Sequence, residues 1–449
     1  MASSKLTSGG RTILHLPPEI IFSIFDNLSI ETLKALRLTN KHLSSHTLQY
    51  LFRTVRLELS RSSLDELHEK AKAYGPYMKE LVIDRNWLLT APERRFDIQD
   101  EYHELTLPAE NFDHRRVDLR TIYASKPWLT AQFDFVTNLD NVEAARSLIR
   151  NYMPNLNSLT ITNTGGEMLV YRGWWDNFFL GPDEELLLDF ICKIFVEGPG
   201  PSLCVKAPNC SLERITISPA AGFENDVFKF NNEFAIRRMA RLGKVVSEID
   251  SLALCTRLCH LVKSCRTIDL TIAAFNIFTG APAETNAHWY FSSIICAASQ
   301  NLKSLYLNLL SWENEGFTFL DEHLLNTRFP HLEQFHLSEA PVSLSLLNRF
   351  LYNHQKTLES VQFHYVKPIW NADPDLLSWS RFISKLRNSV DRSFFDHVSI
   401  GFCGVFNWRS GVTDWARWYF VGPEQVKQYG KGGQGNPFTG GYVNVVEVA

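Results

Sequence analysis

One short apolar pattern, apolar-x-x-apolar-x-apolar, keeps returning along this 449-residue chain. Clear copies are Leu156, Leu159, Ile161; Leu212, Ile215, Ile217; Leu302, Leu305, Leu307; Leu332, Phe335, Leu337; and Leu358, Val361, Phe363. Looser copies are Met78, Leu81, Ile83; Cys265, Ile268, Leu270; and Phe395, Val398, Ile400. The last two apolar positions of each copy have the period of a β-strand, so their side chains point the same way. The first often follows a helix-like stretch and a turn signal, as in Asn151-Tyr152-Met153-Pro154-Asn155-Leu156. Units of this kind bury their apolar faces by stacking on their neighbours. The interval from Leu302 to Leu332 is 30 residues and from Leu332 to Leu358 is 26, but Leu156 to Leu212 spans 56. That long interval holds either an insertion or an unrecognised strand.

Composition narrows the class. Hydrophobic residues make up 45% of the chain and aromatics 12%, as expected of a folded globular protein. A net charge of -4, with both signs mixed along the chain, argues against a bulk electrostatic grip on nucleic acid or anionic membrane. Eight scattered cysteines without paired spacing fit a reducing compartment. The N-terminus lacks an apolar core of signal-peptide length. The densest apolar stretch, 186–196, contains Asp189 and Lys193 and is too short to span a bilayer. These features lead us to expect a soluble protein of the cytosol, the nucleus or both, with the N-x-S matches at Asn27 and Asn209 unglycosylated.

Residues 13–53 have a different grammar. Pro17 and Pro18 suit the first turn of a helix, where an amide hydrogen would be unpaired anyway. Glu19 stands near the helix N-terminus, where negative charge is favoured. Ile20, Ile21, Ile24, Phe25 and Leu28 form a broad apolar stripe. Ser29 is placed to cap a second helix carrying Leu33, Leu36 and Leu38, and Asn40 a third carrying Leu43 and Leu48. Three short helices in about forty residues cannot bury a self-sufficient core. The surplus apolar surface is covered either by a partner or by the chain that follows.

These residues resemble the F-box. The family's opening Leu-Pro-x-Glu matches Leu16, Pro17 and Glu19, its next apolar positions match Ile20, Ile24 and Leu28, and its second-helix leucines match Leu33, Leu36 and Leu38. The ending Leu51-Phe52-Arg53-Thr54-Val55 looks like the form common in fungal members. Two departures stand out: Leu28-Ser29 where many members read Leu-Pro, and Leu43 where many carry tryptophan. Both keep the apolar pattern. The resemblance implies docking on a Skp-family adaptor and, through it, on a cullin–RING ubiquitin ligase, while the rest of the chain selects a target. The adaptor contacts it implies are Leu16, Pro17, Glu19, Ile20, Ile24, Leu28, Leu33 and Leu36. Spacing alone does not separate those facing the adaptor from those facing the module's own core.

The recurring strand pattern resembles that of leucine-rich repeats, which often follow an F-box. The fold class expected is therefore α/β: an N-terminal three-helix F-box over residues 12–55, then an irregular leucine-rich-repeat-like α/β solenoid over 56–410 that binds the target. Residues 411–449 are expected to form a C-terminal cap and a flexible Gly-rich tail. An unrelated α/β domain with short buried strands is the competing reading. Residues 91–120 form a charged insertion, and 163–183 an aromatic one bearing Trp174, Trp175, Phe178 and Phe179. Those aromatics are either a target-binding surface, because aromatics dominate interface energy, or plugs of the solenoid interior.

Catalytic chemistry leaves little trace. Gly430-x-Gly432-x-x-Gly435 spells a dinucleotide fingerprint but lacks a βαβ context. The cluster Cys255, Cys259, His260 and Cys265 lacks the paired short spacings of zinc sites and reads as helix packing, and His42 with His46 has no third ligand in the sequence pattern. We expect no catalytic residues, no metal and no cofactor. The function expected is that of a non-catalytic substrate-recognition subunit of a Skp–cullin–F-box ubiquitin ligase. Two alternatives are an F-box scaffold that assembles no ligase and an enzyme with a site dispersed through the α/β region.

Overall fold

The computed structural model describes residues 16–84, 134–163, 181–196, 212–220, 251–273, 287–310, 322–338, 340–368, 379–401, 403–407, 412–419, 423–439 and 443–444. Three short helices come first: α1 (Pro18–Phe25), α2 (Ile30–Thr39) and α3 (Lys41–Leu51). The chain then enters β1 (Thr54–Glu58), followed by β2 (Glu80–Asp84), β3 (Ser158–Asn163), β4 (Arg214–Ala220), β5 (Thr267–Ala273), β6 (Ser304–Leu310), β7 (Gln334–Ser338), β8 (Pro341–Val342), β9 (Ser360–His364), β10 (Lys367–Pro368) and β11 (Val398–Ile400). Strands β8 and β10 pair with each other, and the other nine form one parallel sheet in chain order.

Parallel neighbours need a crossover, and helices supply it. Those among the described residues are α4 (Arg61–Tyr74), α5 (Leu139–Tyr152), α6 (Gly181–Phe195), α7 (Ser251–Val262), α8 (Ala287–Ala297), α9 (Glu322–Asn326), α10 (Leu344–His354) and α11 (Trp379–Ser389), one described helix between each consecutive pair of sheet strands. From α4 to α11 each helix packs on the next, so the helices form a layer of their own. Asp189 of α6 is nearly buried and ties this layer internally, accepting from Arg257 of α7 and pairing with Lys193 at 2.7 Å.

Register explains why the pattern recurs. Val55, Leu81, Leu159, Ile215, Ile268, Leu305, Phe335, Val361 and Val398 stand side by side across the nine strands. Two residues on, Leu57, Ile83, Ile161, Ile217, Leu270, Leu307, Leu337, Phe363 and Ile400 form a second rung. The leading positions Met78, Leu156, Leu212, Cys265, Leu302, Leu332, Leu358 and Phe395 are buried beneath the rungs. One core runs the length of the sheet. A copy that sequence reading missed, Phe52-x-x-Val55-x-Leu57, overlaps the end of the third helix; its Val55 and Leu57 join this core, while Phe52 is half-buried outside it. The long interval between Leu156 and Leu212 is resolved as inserted chain: β3 pairs directly with β4.

The backbone repeats as well. The carbonyl of Arg53 accepts the amides of Lys79 and Glu80, and the carbonyl of Lys79 accepts those of Asn157 and Ser158. The same two-for-one junction continues through Asn157, Glu213, Arg266, Lys303 and Glu333. Each unit thus enters its strand at the same height. Side chains in this column pair between units, Lys303 with Glu333 at 2.6 Å and Arg266 with Glu213 at 3.9 Å.

The C-terminal expectation needs correcting. β12 (Cys403–Asn407), β13 (Val412–Tyr419) and β14 (Val443–Asn444) form a small antiparallel sheet, so a boundary at 410/411 falls inside a hairpin. Trp415, Trp418 and Tyr419 lie on β13, whereas Trp408 and Phe420 lie outside the described residues. Over 423–439 the glycine-rich segment is packed rather than a flexible tail. Helix α12 (Pro423–Gly430) sits against β11, Val426 and Phe438 are buried, and Phe438 stacks on Trp379 at 5.9 Å. A Cβ on Gly430 would come within 1.9 Å of the Phe395 ring, so the close approach demands glycine. Asn436 donates to the Ser380 carbonyl and Arg387 to that of Gly433.

This core sets two expectations. Leu305→Ala removes a fully buried rung and should lower unfolding free energy by about 3 kcal/mol, whereas Thr267→Ala on the other face should change it by less than about 0.5 kcal/mol; urea titration separates the two. His354 is buried, donates from Nδ1 to the Phe350 carbonyl at 2.7 Å and accepts the Phe329 amide at Nε2 at 2.9 Å. Burial pushes its pKa down, the Phe350 hydrogen bond opposes this and Arg328 adds to it. The neutral ring is therefore the folded form. Its stabilisation is complete above the unfolded value of about 6.5 and is lost as pH falls from there toward the depressed folded value. His354→Gln should reduce the loss of stability between about pH 7 and pH 5.

Candidate functional site

The three leading helices are built by their caps. Pro17 precedes α1 and its carbonyl accepts the amides of Ile20 and Ile21 at 3.0 and 3.1 Å. Ser29 Oγ accepts the Thr32 amide at 3.2 Å and starts α2. Asn40 Oδ1 accepts the amides of His42 and Leu43 at 2.7 and 3.4 Å and starts α3. The helices share a small core of Ile21, Phe25, Leu33 and Leu43, with Ile24, Leu28, Leu36, Tyr50 and Leu51 partly buried around it. Tyr50 closes it, donating its hydroxyl to the Phe22 carbonyl at 3.1 Å.

This core leaves a large apolar remainder. Leu16 is 37% exposed, Ile20 49%, Ile30 57% and Leu38 88%. Among the described residues the other large exposed apolar side chains are Leu139 and Tyr352. Four of the six large exposed apolar side chains of the described residues therefore fall in these three helices or just ahead of them. Of the expected contacts, Leu16, Pro17, Glu19 and Ile20 are exposed, and Ile24, Leu28 and Leu36 are half-buried at the edge of the core. Leu33 is only 3% exposed and serves the module's own packing.

Ile30 and Leu38 were not among the expected contacts. Leu38 was legible: five residues from Leu33 is about 140° around a helix, which puts the two on different faces. Ile30 offers a weaker signal, since only its place at the start of α2 leaves it uncovered.

The module is joined to the sheet without a linker. The Phe52 ring stacks on Tyr74 at 3.8 Å and 9°, and Arg53 supplies the first shared carbonyl of the sheet. The apolar surface and the sheet therefore have a set mutual orientation.

The sheet face opposite the core is polar. Arg56 pairs with the nearly buried Asp84 at 3.6 Å. Glu80 accepts from Thr54 at 2.9 Å and from Thr160 at 2.7 Å. Further along, the Ser304 and Tyr306 hydroxyls converge on Gln334 Oε1, His336 Nε2 meets Ser360 Oγ at 3.1 Å, and Tyr306 stands edge-on to His336 with centroids 4.5 Å apart. Burial pushes the pKa of His336 and of His364 down, so both rings are neutral at pH 7. After His364, Tyr365 takes a left-handed φ of 53°, an uncommon state for a bulky residue.

Other expected sites fare as follows. Trp174, Trp175, Phe178 and Phe179 lie outside the described residues. Cys255 and Cys265 are buried and Cys259 is partly so. His42 and His46 meet through their Nε2 atoms at 3.3 Å. No group of three or more metal-ligating side chains occurs among the described residues, and none of the described helices is long and apolar enough to cross a membrane. The caps are open to test: Asn40→Ala should lower the protection of α3 amides by about 1 kcal/mol, read by hydrogen exchange.

Residues 13–52 match the family described as F-box domain. No curated protein matches the chain. The F-box domain implies a Skp-binding adaptor role in ubiquitin ligase complexes, and F-box proteins are typically non-catalytic adaptors. The three capped helices with their uncovered apolar side chains thus have a family: the chain carries an F-box domain at residues 13–52 and is an F-box protein.

Proposed function

We propose that this chain is the substrate-recognition subunit of a Skp–cullin–F-box ubiquitin ligase, working in the cytosol, the nucleus or both. The observation that carries the proposal is the run of exposed apolar side chains at Leu16, Ile20, Ile30 and Leu38 on helices that already have a core of their own. In this reading Leu16, Pro17, Glu19 and Ile20 reach the Skp-family adaptor together with Ile30 and Leu38. Ile24, Leu28 and Leu36 border the contact, and Leu33 holds the helices that present it.

The nine-stranded sheet then acts as a leucine-rich-repeat-like array. Strands in chain order, one described helix per crossover, and the repeated carbonyl junctions support that reading. The polar sheet face receives the target protein. Because β1 follows α3 directly, a target held there stands at a set distance and angle from the adaptor. The chain contributes effective concentration, placing the target beside the ubiquitin-loaded enzyme carried by the cullin. Co-purification tests the docking. The wild-type chain should recover a Skp-family adaptor together with a cullin, and Leu16→Ala with Pro17→Ala should remove both while leaving thermal unfolding unchanged. Leu38→Asp should weaken the pair on its own, since losing one apolar anchor costs about 2 kcal/mol, or roughly thirtyfold in affinity. Undiminished adaptor binding by these variants would sink the assignment.

A further inference from the structure

We infer that the polar sheet face around β5 to β7 is built to receive an arginine side chain from the target, clamped between Asp269 and Tyr306. This deepens the proposed function and rests on its reading of the polar face as the target surface.

Asp269 points from β5 to this face, level with Tyr306 on β6 and Thr216 on β4. It is half-buried, and among the described residues its carboxylate makes no hydrogen bond or ion pair. Burial pushes its pKa up, and the only opposing influence is Arg214, which stays beyond ion-pair distance. The other carboxylates of the face differ. Asp84 is paired with Arg56, Glu80 accepts two threonine hydroxyls, and Glu58 is exposed to water. A half-buried carboxylate without a partner is costly unless something binds it.

A second polar group nearby is also unsatisfied. Asn308, two residues beyond Tyr306 on β6, has a buried Oδ1 with no donor among the described residues. Both orphan groups are acceptors, so the missing group is a donor.

The surroundings select the kind of donor. Tyr306 and His336 are held by Gln334 and Ser360, which gives a preorganised aromatic wall. His336 is neutral at pH 7 and does not repel a cation. The described face carries four carboxylates, at Glu58, Glu80, Asp84 and Asp269, against two guanidinium groups, at Arg56 and Arg214. Its charge therefore complements a basic segment. A planar guanidinium donates in a fork that fits a carboxylate and stacks on an aromatic ring, whereas an ammonium acts as a point charge.

Display of random peptides against the purified chain–adaptor complex tests this before any target is identified. Enriched peptides should share an arginine. For one such fluorescein-labelled peptide, Asp269→Asn and Tyr306→Leu should each weaken binding by about tenfold, and replacing the peptide's arginine with glutamine should cost the same. Combining Asp269→Asn with the glutamine peptide should cost no more than either change alone. Arg214→Gln, which removes the competing cation, should tighten binding. Enrichment of peptides without arginine that still lose affinity on Tyr306→Leu overturns the arginine clamp and leaves the target face standing. Peptides insensitive to both face variants, or no enrichment, overturn the clamp and the target face together.

Discussion

Parallel strands held in register through both apolar rungs are the constraint on which the molecule depends; the one shift between β3 and β4 falls beyond the rungs, between Ile161 and Asn163. Side chains alternate along a strand, so a slip of one residue would turn every apolar side chain of that strand toward water. The carbonyls of Arg53, Lys79, Asn157, Glu213, Arg266, Lys303 and Glu333 hold the register from outside the strands, each binding two amides of the next unit. The apolar rungs from Val55 to Val398 then stay continuous despite long insertions between some units. Inserted chain costs little, because loop-closure entropy grows only slowly with length.

That division of labour explains how one sheet serves two ends. Its inner face is committed to Leu, Ile, Val and Phe packed against helices, and its outer face is free to vary. The outer face varies along its length: toward β1 its charges are mostly paired internally, while at β5 and β6 Asp269 and Asn308 have acceptors without a partner among the described residues. At the N-terminal end the three helices follow the opposite rule. Their core of Ile21, Phe25, Leu33 and Leu43 is too small to cover the apolar residues the helices carry, and the remainder is presented to a partner. The Phe52–Tyr74 stack joins the two parts with no intervening linker.

Much of this was legible in the order of residues. Every copy of the recurring pattern found in the sequence lies in the core, because strand period and burial on one face leave a direct imprint. The caps at Ser29 and Asn40 were legible for the same local reason: a side-chain oxygen two or three residues ahead of an unpaired amide. Other features left no such imprint. Gly430 looked like part of a loose tail, because nothing near it in sequence announces the Phe395 ring that packs on it. Ile30 and Leu33, three residues apart on one helix, looked equivalent, yet one is exposed and the other is core.

The sequence alone determined the strand period, the helix starts and the resemblance of residues 13–53 to an F-box, since each is a matter of neighbours within a few positions. Only the tertiary structure decided which apolar side chains remained uncovered and which polar ones remained unpaired. Ile30, Asp269 and Asn308 take their meaning from groups on other strands and helices. Burial and hydrogen-bond satisfaction are properties of a packed environment that residues distant in sequence create together.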